Sequence, residues 1–337
     1  MKTKSDKEVT ISLIIPIYNT EKFVERCLCS VFGQTWENVE YILINDCTPD
    51  KSIKVAERVI KQYPDRKVSI VNNQKNIGSA GVRNIGIKMA KGEYIIFIDS
   101  DDYVEPAMLE DMYHKAKVSN ADIVIADYYV NYPQKQIYKK QIAPDTGVEC
   151  AKWILSGRLH SSNSNKLIKR ELYLNNNISF IEGINMWEDM STITRICFFA
   201  NKVAYLPKAY LHYVQYNENS YTANLTDKSL MDMQTVITIL QSFFYDKEEF
   251  KKVVSFLRLQ VKANFLIHSK GDTRKKACQL YDEPWEIMLE HPSLSFFNKL
   301  LLLSEKCKLL FLIDIFSWIY HTRKKRILRA SNKERCL

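Results

Sequence analysis

The strongest constraint on this chain is an alternation in its first hundred residues. β-Branched runs at residues 11–17, 39–44, 68–71 and 94–98 are separated by amphipathic stretches at 21–32, 52–62 and 79–90. Runs suited to buried strands, alternating with stretches of helical period, read βαβαβαβ. Helical crossovers join parallel strands, so the segment predicts a mainly parallel sheet flanked by helices. Such a sheet gathers ligands in the crevice beyond the carboxyl ends of its strands. The residues at those ends are Pro16-Ile17-Tyr18-Asn19, Asn45-Asp46-Cys47-Thr48, Asn72-Asn73 with Asn76, and Asp99-Ser100-Asp101-Asp102. Each end is polar, and together they point to one functional rim.

Beyond Asp102 the order loosens. A helix is predicted near residues 106–118, a strand at 122–127, and a hairpin or lid over the polar stretch 132–140. Helical stretches at 148–155 and 189–200 and short strands at 203–205 and 210–214 complete the same domain. From about residue 227 the pattern is helical and rich in Leu, Phe and Lys, so the chain divides into a catalytic domain over 1–225 and a helical appendage over 226–337. With 337 residues, 46% of them hydrophobic, the chain can bury a substantial core. The net charge of +9 describes a tail more than a surface, because Arg323, Lys324, Lys325, Arg326, Arg329, Lys333 and Arg335 face only Glu334 there. A nucleic-acid partner is therefore not expected. The eight cysteines show no C-x-x-C pair, which suits reduced thiols in a cytoplasm. Residues 1–9 are polar and lysine-rich, with no signal peptide in view. The most apolar segment, 309–320, is interrupted by Asp314 and falls short of the ~20 residues a bilayer needs.

Four constellations carry chemistry. In the first, the strand ending at Ile98 runs into three carboxylates within four residues, Asp99, Asp101 and Asp102. Such crowding is costly unless a hard divalent cation, Mg²⁺ or Mn²⁺, neutralises it and bridges a diphosphate. The alternative is an acidic loop capping the helix that begins near Pro106. In the second, residues 45–50 are turn formers, and Asp46 can also accept hydrogen bonds from a nucleobase imide or a ribose hydroxyl. The third is a glycine-containing loop from Asn76 into a helix carrying Arg83. It can hold phosphate or orient carboxylates, or its glycines can simply allow close packing on the sheet. The fourth is Trp187-Glu188-Asp189-Met190. There Asp189 is either a general base or a helix N-cap, and a helix terminus lowers its basicity unless burial raises it again. His212, within a strand-like run, reads as a packed residue in preference to a diphosphate or metal contact.

Taken in order, these motifs resemble the family 2 glycosyltransferases, which have the GT-A fold, a Rossmann-like sheet. The matches are Pro16-Ile17-Tyr18-Asn19, Asp46, Asn76-x-Gly78, Arg83-Asn84-x-Gly86, Phe97-Ile98-Asp99-Ser100-Asp101-Asp102 and Glu188-Asp189. They span about residues 11–222. Asn165-Lys166-Leu167 and Asn219-Ser220-Tyr221-Thr222 look like the family's acceptor-side and closing segments. The resemblance implies an inverting, metal-dependent hexosyl- or N-acetylhexosaminyltransferase of surface polysaccharide synthesis. Its donor would be a nucleotide-sugar, usually a UDP-sugar. Asp46 would contact the base, Asp99 the ribose or metal, Asp101 and Asp102 the metal, and Asp189, with Glu188, the acceptor hydroxyl. Pro16, Tyr18, Asn19, Asn76, Arg83 and Ser100 would complete the nucleotide-sugar site. Two departures matter. The usual Asp-Asp-Gly-Ser after the second strand is Asn45-Asp46-Cys47-Thr48 here, and the Gln-x-x-Arg-Trp element of processive synthases is absent, which favours transfer of a single sugar.

Residues 296–320 mix Phe, Leu, Ile and Trp318 with Lys299, Lys306 and Lys308, and the basic tail follows at once. They read either as core-packing helices or as an interfacial segment on anionic lipid at the inner face of the plasma membrane. A glycan or lipid-linked acceptor would suit the second. Two rivals remain at this stage. A nucleotidyltransferase would want a Gly-rich basic loop after the first strand, where this chain has Pro16-Ile17-Tyr18-Asn19. A non-catalytic module of a polysaccharide assembly would keep the fold without needing Asp101 or Asp189.

Overall fold

The computed structural model describes residues 9–217 and 226–333, with side chains described as far as Thr322. The closing segment Asn219-Ser220-Tyr221-Thr222 lies outside the described residues. Contacts divide the chain into two units, Met1–Ala151 with Leu159–Ser220, and Lys152–Arg158 with Tyr221–Leu337.

In the first unit, β1 (Ile11–Ile17), β2 (Val39–Asn45), β3 (Lys67–Asn72) and β4 (Tyr94–Phe97) alternate with α1 (Val24–Phe32), α2 (Ser52–Ile60) and α3 (Gly78–Met89). The strands lie in the order β3-β2-β1-β4, all parallel. β1 and β4 are apolar on both faces because helices cover both. Ile11, Leu13, Ile15 and Ile17 pack with Val24, Leu28, Val31, Ala56 and Val59, whereas Ile14 meets α3 at Gly86 on the opposite face. The chain steps outward from β1 to β3 and returns through α3 to the far side of β1. The strand order therefore reverses between β1 and β4, the crevice where such sheets hold ligands.

Beyond β4 the sheet becomes mixed. β5 (Tyr103–Val104), β6 (Ile123–Tyr132), β7 (Lys135–Lys139), β8 (Lys166–Lys169) and β9 (Val203–Val214) extend it as β4-β8-β6-β9-β5, with β7 on β6. β8 runs antiparallel to both β4 and β6, while β6 and β9 are parallel. The predicted strands at 203–205 and 210–214 are one strand. Between Ala126↔Leu206 and Asp127↔Ala209 the register slips, and Pro207, which cannot donate to a ladder, sits in the bulge. The polar stretch at 132–140 is a hairpin, turned at Pro133-Gln134. The helices here are α4 (Met108–Ser119), α5 (Gly147–Leu155), α6 (Arg170–Asn175) and α7 (Glu188–Phe199).

The second unit is helical, with α8 (Asp227–Phe243), α9 (Lys251–His268), α10 (Gly271–Cys278), α11 (Trp285–Glu290), α12 (Phe296–Lys306) and α13 (Leu310–Lys333). α9 is its core element, burying Phe256, Leu257, Val261, Phe265 and Leu266. Its buried Lys262 is neutralised by Glu305 at 2.8 Å. No helix among the described residues is long and apolar enough to cross a membrane.

The seat of α3 on β1 leaves no space for a methyl group, since a Cβ at Gly86 would lie 2.5 Å from Ile14 Cγ2 inside the core. Gly86→Ala should therefore destabilise the protein by about 1–3 kcal/mol despite the better helix propensity of Ala. Urea unfolding measures it, and an Ile14→Ala background should remove most of the loss.

Candidate active site

The rim is tied together by short polar bonds. After β1 the chain turns at Asn19, which has φ 53 and donates its N–H to Thr48 Oγ1 at 2.8 Å. Tyr18 stands 41% exposed at that turn, and Pro16 remains inside β1 opposite Ile44. Thr20 Oγ1 lies 3.0 Å from Ser100 Oγ, joining the loop after β1 to the loop after β4. Ser100 is buried in that contact.

Asp46 has a different neighbourhood from the one its motif suggests. Its carboxylate is buried and accepts the N–H groups of Ile77 and Gly78 at 2.8 and 2.9 Å and Asn73 Nδ2 at 3.1 Å. It caps the positive end of α3 from a neighbouring loop. Gly78, at φ 79, makes this approach possible, and a Cβ there would also meet Asn185 Oδ1 at 2.9 Å. Asn76 is exposed beside it and accepts the Gly78 N–H at 3.2 Å.

Arg83 is the hub. One turn and a half into α3, its guanidinium is 5% exposed and donates to Asp99 Oδ1 at 2.8 Å and Glu188 Oε1 at 2.9 Å. Asp189 Oδ1 is 3.6 Å away. Burial alone would lower its pKa, but the surrounding carboxylates Asp189, Asp99 and Glu188 outweigh burial and raise it, so Arg83 is a permanent cation. Ser79 Oγ donates to the same Glu188 oxygen at 2.9 Å. α7 thus begins with its acidic residues held from α3. The residue before it, Trp187, has φ 67, a costly conformation for a bulky side chain.

Asp189 is not the N-cap of α7. It lies in a recess with its side chain 20% exposed and is gripped by Asn163, whose Nδ2 donates to Oδ1 at 2.8 Å and whose N–H donates to Oδ2 at 3.3 Å. Burial pushes its carboxyl up to about 7, against the lowering effect of Arg83 and with help from Glu188 and Asp99. Asn163 belongs to a loop organised by Lys166, whose fully buried Nζ donates to His160 O, Ser162 O and Asn165 Oδ1 at 2.8, 2.6 and 2.9 Å. Burial holds Lys166 down to about 8.

The three carboxylates after β4 part company. Asp102 is 1% exposed and its Oδ1 accepts the Val214 N–H at 2.8 Å, so it joins β9 to the rim. Asp99 and Asp101 remain at the crevice. Asp101 Oδ2 accepts from Asn217 Nδ2 at 2.8 Å; burial and the charge of Asp99 push its carboxyl up to about 6. Among the described residues no three His, Cys, Asp or Glu side chains form a ready-made metal cage. Two hard-oxygen carboxylates that repel one another fit Mg²⁺ or Mn²⁺, which keep waters and take their other ligands from substrate phosphates.

His212 is packed, not free. Its Nε2 lies 2.8 Å from Glu105 Oε1, its Nδ1 3.2 Å from Asn131 Nδ2 and Gln136 Nε2, and its ring stacks between Tyr103 and Tyr129. Sequence reasoning missed Asn163, Asn217 and Arg26. Arg26 donates to Tyr216 Oη at 2.6 Å and to the Asp101 carbonyl at 3.3 Å, and so supports the loop from below. A lysine opening the apolar strand β8 was the available signal for the Asn163 loop.

Comparison with known proteins bears on the family and the fold. The model of glycosyl transferase family 2 matches residues 12–175. The chain is 31% identical over 234 residues to glycosyltransferase GlyG of Streptococcus pneumoniae, covering 66% of this chain and 72% of that protein. The fold matches S. aureus TarS 1–349 in complex with UDP-GlcNAc at a TM-score of 0.70 and 19% identity, covering 93% of this chain and 92% of that one. It also matches mannosyltransferase PcManGT from Pyrobaculum calidifontis in complex with GDP-Man and Mn²⁺ at a TM-score of 0.54 and 14% identity, over 93% and 87% of the two chains. These likenesses establish the fold as GT-A.

The burial of Asp101 beside Asp99 has a measurable cost. The Asp101 carboxyl titrates near 6 in the folded chain and near ~3.9 when unfolded. Its ionisation therefore lowers stability as pH rises through that window. At pH 7 Asp101→Asn should stabilise the metal-free protein by about 1–2 kcal/mol, less than the ~3 kcal/mol a two-unit difference corresponds to, because solvent reaches the recess. Mn²⁺ should raise the melting temperature of the wild-type protein and leave that of Asp101→Asn unchanged.

Proposed function

Because this chain belongs to glycosyl transferase family 2, we propose that it moves one hexosyl or N-acetylhexosaminyl unit from a nucleotide-sugar, a UDP-sugar, to a hydroxyl of a glycan or lipid-linked acceptor in surface polysaccharide synthesis. The transfer is a single inverting displacement. One observation carries this reading: Arg83 touches Asp99, beside the crevice between β1 and β4, and Glu188, beside the recessed Asp189. A donor-side carboxylate and an acceptor-side base are thereby fixed to a single cation.

The donor nucleotide lies along the rim formed by Pro16, Tyr18, Asn19 and the Asn45–Asp46 loop, with Asn76 at its edge. Asp46 keeps the α3 entrance in shape beneath the base, and Ser100 holds the loop after β4. The complexes of TarS with UDP-GlcNAc and of PcManGT with GDP-Man and Mn²⁺ support a nucleotide-sugar donor and a divalent cation. A cation held by Asp99 and Asp101 would neutralise charge on the donor diphosphate. Asp189 takes the proton of the attacking hydroxyl. A base at work near neutral pH needs a pKa near 7, and burial supplies it. Asn163 aims the carboxylate, and Arg83 keeps it from straying toward the crevice.

Asp189 must be ionised to act, so kcat/KM should fall as pH drops through about 7. Asp189→Asn should lower kcat by about 10²–10⁴-fold and remove that acid limb. Near-wild-type turnover with both Asp101→Ala and Asp189→Ala would sink the reading and leave a non-catalytic module. The assay is Mn²⁺-dependent release of nucleoside diphosphate from a panel of nucleotide-sugars with a crude lipid acceptor. Lys166→Met, which strips three hydrogen bonds from the Asn163 loop, should lower kcat by about tenfold or more while leaving the KM for the donor unchanged.

A further inference from the structure

The second unit carries an exposed apolar surface where α12 meets α13. α12 ends at Lys306, and the chain turns through Cys307 and Lys308, the latter at φ 59, before α13 begins at Leu310. At this corner three consecutive apolar residues face solvent: Leu309, Leu310 and Phe311, exposed by 44%, 52% and 62%. The exposed face continues along α13 at helical spacing with Ile315 and Trp318, the latter 68% exposed. Their i, i+4, i+7 relation to Phe311 puts them on one side of the helix. The opposite side is used in packing, since Ile313 and Ser317 are buried and Ser317 Oγ donates to the Ile267 carbonyl at 2.7 Å.

Aromatic and aliphatic side chains in an unbroken exposed run are costly in water and mark a contact surface. The charges around them select the occupant. Lys308 is exposed at the corner, and Lys306, also exposed, pairs there with Asp282 at 2.9 Å. From Lys306 to Ala330 the only acid is Asp314, and Arg274 pairs with it. In chain order the apolar stretch passes directly into Arg323-Lys324-Lys325-Arg326 and Arg329. An apolar helical face with Trp and Phe, bordered by cations and lacking free acids, suits the interface of an anionic bilayer, where rings sit at headgroup depth and basic residues meet lipid phosphates. A second protein copy would match the apolar area but would bring its own cations against these.

We propose that the α12–α13 corner and the Phe311-Ile315-Trp318 face of α13 dock on anionic lipid. None of these residues belongs to the carboxylate site, so lipid docking and sugar transfer can fail separately. The full chain should co-sediment with phosphatidylcholine vesicles containing 30% phosphatidylglycerol, on the order of tenfold more than with phosphatidylcholine alone, and added salt should weaken the binding. The double variant Phe311→Ser/Trp318→Ser should lose about tenfold in partitioning while keeping the wild-type melting temperature. Equal partitioning of variant and wild type, or no preference for the anionic vesicles, would overturn the proposal. So would light scattering that gave a dimer for the wild type and a monomer for the variant with no vesicle binding, because a second copy would then cover the face.

Discussion

The site is organised around one buried cation. A guanidinium taken out of water costs several kcal/mol unless its charge is matched, and Arg83 finds carboxylates for its two terminal nitrogens on segments far apart in sequence: Asp99 after β4, and Glu188 with Asp189 at the start of α7. Each carboxylate is in turn drawn toward the others only because Arg83 lies among them. Its own position is set by α3, whose entrance is capped by Asp46 and whose middle is pressed on β1 through Gly86. The sheet therefore fixes the helix, the helix fixes the cation, and the cation fixes two halves of a site that come from different parts of the chain. The strained backbone of Trp187 fits the same logic, since a turn of that kind is what brings both acidic residues of α7 to the guanidinium.

How legible this was in the sequence depended on burial. β1, β2 and β4 are dominated by buried apolar residues because helices cover both faces, and their limits were readable to within a residue or so. The mixed half of the sheet was harder. Pro207 divided β9 into two apparent strands, although the structure accommodates it in a bulge. β8 is four residues long with a lysine at each end, and nothing in that pattern distinguishes a central strand from a polar loop. Lys166 is nonetheless buried there, because backbone carbonyls solvate its ammonium. β5 has two residues and no period at all.

The site was legible as chemistry and illegible as direction. Asp46, Asp99, Asp101, Asp102 and Asp189 were all recognisable as carboxylates at strand or helix ends. Whether each faces the crevice is decided by partners that residue spacing does not reveal. Asp102 differs from Asp101 by one position, yet its Oδ1 accepts the N–H of Val214 while Asp101 Oδ2 accepts from Asn217. Asp46 is spent on the N–H groups of Ile77 and Gly78. Asp102 and Asp46 both satisfy backbone donors at the rim. Asp99 and Asp189 are instead engaged mainly by side chains, Arg83 and Asn163.

The setting of Asp189 has an internal consistency. A helix start and a neighbouring guanidinium both make a carboxylate a poorer base, and Asp189 has both. Burial acts the other way and is the larger influence, with Glu188 and Asp99 adding to it, so the carboxyl comes to rest near 7 instead of in the usual acid range. Arg83 then has a use beyond attraction. Without it, burial and two neighbouring carboxylates would raise Asp189 further and leave it protonated near neutral pH, unable to accept a proton. A buried base next to a fixed cation is a compromise between basicity and ionisation. It requires the cation to be held by other carboxylates as well, so that Asp189 feels its field without being locked into a close pair with it. The 3.6 Å separation from Asp189, against 2.8 and 2.9 Å to Asp99 and Glu188, is that arrangement in distances.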